Sequence, residues 1–213
     1  MDCLILNHYI LNIFLLLIIM CINLQTSIIA FSIGMISGIK LINSTNKETI
    51  IIGKFIIFYT MVQLFEAMIY YNNTKVPSML LLLNLGFQGL FFILLLNNMI
   101  PLNNIYIIIT MCIALFICYK TFHPEFKMAT TTEGMKWNFN DMSCGNALAI
   151  MYITMFIVVI ENNNRLDKIN KFGFLLFITF VISYNINIQC NVNKPSIWCL
   201  SSAIAAPLMM IFA

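Results

Sequence analysis

The sequence predicts an all-α fold, an integral membrane bundle of about seven transmembrane helices. Three observations lead there. Of the 213 residues, 61% are hydrophobic and 9% charged, against about 25% charged in an ordinary soluble domain, and mean hydropathy is +0.93. Apolar runs of about 20 residues, the length that crosses a bilayer, follow one another along the chain. The polar stretches between them are short. The longest, 120–143, falls well below the roughly 50 residues of a small soluble domain. The chain therefore reads as an N-terminal apolar extension, 1–19, and one membrane domain, 20–213.

Taken in order, residues 10–22 are strongly apolar and run into the first span, 24–42, with no turn signal. They extend the first helix, form an eighth, or act as a signal-like stretch. A signal peptide would have a positive n-region, and the only early charge is Asp2, so the extension is favoured. Gly34 and Gly38 form a Gly-x-x-x-Gly pair that permits close backbone approach, read as packing within the bundle rather than as a dimer face. The second span is 50–71, the third 77–96 and the fourth 101–119. Pro77 and Pro101 open the last two, where a missing N–H costs nothing. The fifth span is 144–160, the sixth 172–188 and the seventh 196–213, which Pro195 precedes and Pro207 would kink. Connections as short as 72–76 and 97–100 force antiparallel neighbours.

This topology puts the N-terminus, 72–76, 120–143 and 189–195 on one side of the membrane. Lys40, Lys47, Lys54, Arg165, Lys168 and Lys171 cluster near the other, which marks that side as cytoplasmic. Six of the seven cysteines, all but Cys112, map to the first side. That suggests an oxidising compartment there, unless cysteine serves simply as a small hydrophobe. The expected orientation is N-terminus out and C-terminus in.

One residue stands out chemically. Glu66 lies inside the second span, and a carboxyl group at membrane depth costs several kcal/mol, about 2.5–3.5 by insertion scales, unless paired, protonated or facing a polar cavity. Tyr59, Gln63, Glu66 and Tyr70 recur at i, i+4, i+7 and i+11, one narrow stripe at about 100° per residue. Such a stripe faces the bundle interior, since polar groups turned to lipid find no partners. Asn84 and Gln88 make a second polar face on the third span. The first span supplies Asn23, Gln25 and Ser27; the sixth supplies Tyr184, Asn185 and Asn187; Ser196, Trp198, Cys199, Ser201 and Ser202 come from the seventh. The candidate ligand-binding set is thus Tyr59, Gln63, Glu66, Tyr70, Asn84, Gln88, Trp198 and Cys199, in a pocket opening toward the cysteine-rich side. The competing reading of the amides and serines is interhelical hydrogen bonding.

Other chemistries are poorly represented. The net charge of +3 is scattered over short loops, with no basic footprint for nucleic acid or for a polybasic lipid site. His8 and His123 have no metal-ligand partner at useful spacing, and no hydrolase, zincin or phosphate-loop motif occurs. No catalytic residue, metal or cofactor is expected. The last span contains no lysine, so a retinal Schiff base there is excluded.

Met20-Cys-Ile-Asn-Leu-Gln-Thr-Ser27 resembles the Met-Cys-x-Ser-x-x-x-Ser start of a family of multi-pass membrane proteins from bacteria, protists and giant DNA viruses, described only as a domain of unknown function. Asn23 replaces its first Ser. Residues 63–67 are similar to that family's acid-containing second helix, and Pro195-Ser-Ile-Trp-Cys199 to its Gly-Ser-Leu-Trp-Cys signature, with Pro for Gly and Ile for Leu. The resemblance implies seven helices and a host or virion membrane, and no activity. Three functions stay open. The protein binds or moves a small or lipidic molecule around Glu66; it is a lipid-modifying enzyme with Glu66 as acid/base and Cys199 as nucleophile; or it is a structural membrane component. The expected partners are the lipid bilayer and such a ligand, not nucleic acid.

Overall fold

A computed structural model describes residues 24–72, 75–122, 129–131, 134–136, 142–190 and Pro207, with 129–131, 134–136, 142, 143, 145 and 179–190 described by backbone alone. Among the described residues there are six α-helices: α1 (Leu24–Ile42), α2 (Lys47–Asn72), α3 (Lys75–Asn97), α4 (Asn104–Phe122), α5 (Met142–Glu161) and α6 (Asp167–Cys190). A short antiparallel hairpin, β1 (Ala129–Thr131) and β2 (Gly134–Lys136), pairs Ala129 with Lys136 in the α4–α5 connection. Helices α1 to α4 are each long and apolar enough to cross a membrane, and the protein is an integral membrane protein. The apolar part of α5, Asn146–Glu161, is shorter. Residues 1–23 and, Pro207 aside, the expected seventh span lie outside the described residues.

The helix boundaries follow from capping chemistry. Asn46 Oδ1 accepts the Thr49 N–H at 3.1 Å, starting α2 as an N-cap does. Asn103 Oδ1 accepts the Ile105 N–H at 3.0 Å and Asn97 Oδ1 the Leu102 N–H at 3.1 Å, so the tight turn before α4 is held at both ends. The start of α6 is satisfied from a distance. Glu48, in the first turn of α2, accepts the backbone N–H groups of Lys168 (2.9 Å) and Ile169 (3.1 Å). One carboxylate thus serves the positive ends of two helices, an arrangement that favours negative charge.

Close approach of α1 to α2 depends on glycine. A Cβ at Gly38 would come within 3.0 Å of the Gly53 carbonyl, and one at Gly53 within 2.8 Å of the Gly38 carbonyl and the Ile42 nitrogen. A Cβ at Gly34 would overlap Thr60. The Gly-x-x-x-Gly pair is therefore consumed by packing within the chain. Helix α2 also packs on α3 and α6, and α3 on α4 and α5, so α2 and α3 form the middle of the bundle. The main core joins α2, α3, α5 and α6 near the Glu48 end, through residues such as Phe55, Phe92, Val158 and Phe172. On α4, Ile105, Ile108, Met111 and Leu115 are exposed, an apolar face suited to lipid.

Candidate functional site

The stripe on α2 faces inward. Tyr59, Gln63 and Glu66 are buried, Gln63 and Glu66 each at 1% exposure, while Tyr70 is half-buried. Among the described residues Glu66 is the one buried Asp, Glu, Lys or Arg. It lies about 9 Å from the Asn72 end of α2 at about 1.5 Å per residue, away from the Glu48 end. The same line of the helix continues one turn back to Phe55, whose ring meets Phe92 of α3 (4.9 Å between centroids) and Phe172 of α6 (6.2 Å). Phe55 thus looks into the seam between α3 and α6 and forms an aromatic layer one turn below Tyr59.

Asn84 and Gln88 of α3 are buried at 8% and 0% exposure and belong to one directional chain of hydrogen bonds. The Tyr152 hydroxyl of α5 donates to Gln88 Oε1 at 2.5 Å. The Gln88 amide donates to Asn84 Oδ1 at 3.1 Å, and the Asn84 amide to the Phe58 carbonyl of α2 at 3.1 Å. Three helices are joined by polar groups that satisfy one another, the usual solution for amides away from water. The chain ends on the carbonyl of Phe58, the residue before Tyr59, so it adjoins the α2 stripe.

Sequence reasoning missed Tyr152. It sits in an apolar helix with no polar residue at helical spacing to draw attention to it, and only the fold shows that it meets Gln88. Thr110, Thr121 and Thr154 are buried too, but each returns its hydroxyl to a carbonyl of its own helix four residues back, at 2.7–2.8 Å. Of the residues expected from the first span, Gln25 is exposed and Ser27 buried. The hydroxyls of Ser27 and Thr60 are buried with no hydrogen-bond partner, so the seam between α1 and α2 is polar without being bonded there. Trp198 and Cys199 lie outside the described residues. Cys112 and Cys118 carry free thiols. Among the described residues no group of three His, Cys, Asp or Glu could hold a metal ion.

The fold and this interior define the class, an α-helical integral membrane protein with a buried acid in a polar layer. No protein-family model matches the chain, and neither a curated protein nor a solved structure is similar to it.

Proposed function

We propose that the protein is a multi-pass, seven-helix membrane protein, oriented with its N-terminus out, that binds or moves a small or lipidic molecule at Glu66. The observation behind this reading is the burial of Glu66 and Gln63 side by side, at 1% exposure each, on an inward stripe of a central helix. An acid at that depth is a poorer structural choice than an amide, and the neighbouring chain of Tyr152, Gln88 and Asn84 gives it a polar setting. A buried carboxyl is ionised most readily beside a cation, so the matching ligand head is one that donates hydrogen bonds and carries positive charge, as an amine does, whereas an anionic head gains no such pairing. Access is from the Asn72 end, because Phe55, Phe92 and Phe172 fill the other. The family resemblance of the Met20–Ser27 and Pro195–Cys199 motifs is kept with this reading and adds the same helix count.

The test uses purified full-length protein in maltoside detergent, with dodecylamine and dodecanoate as probes of equal chain length. Dodecylamine raises Tm, increasingly with its concentration relative to Kd, dodecanoate does not, and Glu66→Gln removes the difference. Equal responses to the two amphiphiles, or an unchanged response in folded Glu66→Gln protein, would refute the assignment.

A further inference from the structure

We infer that the open face of α2 between α1 and α3 is a groove for an anionic phospholipid, with Lys54 holding the phosphate and an acyl chain lying along Phe58, Met61, Phe65 and Met68. This site is separate from the one proposed at Glu66.

The groove follows from the period of exposure on α2. From 51 to 69 the residues that are not fully buried fall at 54, 57–58, 61, 64–65 and 68, one line of the helix at about 100° per residue. By the same count the line of Tyr59, Gln63 and Glu66 lies roughly 150° away. Helix α1 walls one side, where a Cβ at Gly34 would overlap Thr60 and one at Gly38 would overlap Ile57. Helix α3 walls the other, where the Phe91 ring stacks on Phe58 at 4.6 Å and Asn84 donates to the Phe58 carbonyl at 3.1 Å.

The dimensions and lining suit a lipid chain. From Lys54 to Met68 the strip is about 21 Å long, roughly two-thirds of a hydrocarbon core of about 30 Å. It therefore runs from headgroup depth past the midplane. Between its ends it presents phenylalanine and methionine, and the unbranched, polarizable methionine side chain adapts to irregular apolar partners. A dodecanoate chain covers only part of that length, so this groove is read with phospholipid rather than with the amphiphiles used at Glu66.

Charge decides what occupies the head position. Lys54 lies seven residues inside the start of α2 at Lys47, about 10 Å along the helix. Its side chain is exposed, and among the described residues it has no hydrogen bond or ion pair. The acids that could neutralise it are engaged elsewhere. Glu48 accepts the N–H groups of Lys168 and Ile169, Glu161 accepts the Tyr106 hydroxyl at 2.5 Å, Asp167 pairs with Lys171 at 2.7 Å, and Glu66 is buried on the other line. Helices α1 and α3 and the turns 43–46 and 98–103 contain no Asp or Glu. A lysine inside a spanning helix needs a partner or must extend to the interface. A lipid phosphate supplies acceptors for its three ammonium donors at the depth the stem reaches, and no carboxylate in the walls repels it. Phosphatidylcholine carries its own cation beside the phosphate, which weakens the pairing, so an anionic head is preferred. The orientation proposed above sets this end in the cytoplasmic leaflet, where anionic lipids concentrate.

Full-length protein in phosphatidylcholine vesicles tests the assignment. The vesicles are doped with phosphatidylglycerol or phosphatidylcholine bearing the same diazirine-labelled acyl chain, and after irradiation the labelled peptides are read by mass spectrometry. The phosphatidylglycerol probe should label 57–68 about fivefold more than the phosphatidylcholine probe does, the preference that about 1 kcal/mol supplies. The exposed face of α4, from Ile108 to Leu115, should take both probes alike, and its labelling reports that each variant is inserted. Lys54→Gln should remove the preference on α2, and Lys54→Arg should keep it. Equal labelling of 57–68 by the two probes in the wild type, or a preference equally strong on α4, would reduce the groove to ordinary boundary lipid and overturn the site. A preference that survives Lys54→Gln would remove Lys54 from the head position and overturn it as well.

Discussion

Removing the Tyr152 hydroxyl tests the hydrogen-bond chain that joins α5 to α3 apart from the role assigned to Glu66. Tyr152→Phe keeps the ring and deletes one donor, the one that reaches Gln88 Oε1 at 2.5 Å. Gln88 is 0% exposed, so no water replaces the lost donor. An acceptor stranded in that way costs about 1–3 kcal/mol, whereas double-mutant cycles between membrane helices average about 0.6 and reach about 1.7. Where the two ranges overlap, the expected loss is about 1–1.7 kcal/mol, or a factor of about 5–20 in the unfolding constant. Gln88→Leu removes this bond and the 3.1 Å bond to Asn84, so it should cost more. The double variant should cost less than the sum, by about 0.6–1.5 kcal/mol of coupling. Equilibrium unfolding in mixed micelles, titrated with dodecyl sulfate and followed by circular dichroism, measures all four corners of the cycle. A coupling below about 0.3 kcal/mol, within which independent sites already add, would show that the hydrogen bond does not hold α3 to α5. The amine response of folded Tyr152→Phe should persist, because Glu66 itself is unchanged.

Three further outcomes follow from the packing. Gly53→Ala places a Cβ within 2.8 Å of backbone atoms of α1 and should destabilise by about 1–3 kcal/mol as overpacking does. Gly173→Ala meets Val159 at an ordinary 3.6 Å and should be neutral or stabilising by up to about 1 kcal/mol; the same titration distinguishes them. Glu48→Ala strips two N–H groups at the start of α6 of their acceptor, so hydrogen exchange at Lys168 and Ile169 should speed up by about tenfold, the equivalent of about 1.4 kcal/mol, while exchange in α3 stays as it was.

Much of the fold was legible because membrane crossing imposes a length and a composition. The first span was read at 24–42, where α1 lies, the next two fall inside α2 and α3, and the fourth, read at 101–119, overlaps α4 but begins three residues before it. The stripe of Tyr59, Gln63 and Glu66 was legible for a related reason. In a largely apolar helix the few polar positions show their period without ambiguity, and all three are buried. Helix starts were less visible. Residues 47–49 belong to α2 and 104 begins α4, because Asn46 and Asn103 cap those helices from turns that hydropathy alone does not resolve.

What the sequence by itself determined is a membrane-embedded helical bundle with an acid turned inward, since hydropathy and the 3.6-residue period act within one segment. Tertiary structure decided the partners. The glycines of α1 meet Gly53 and Thr60 of α2, Glu48 reaches the start of α6 across 120 positions of the chain, and Tyr152 completes a hydrogen-bond chain begun on α3. Those contacts join residues far apart in sequence. Lipid favours no one apolar face over another, so the choice among faces falls to close packing and to the few polar groups that must find each other.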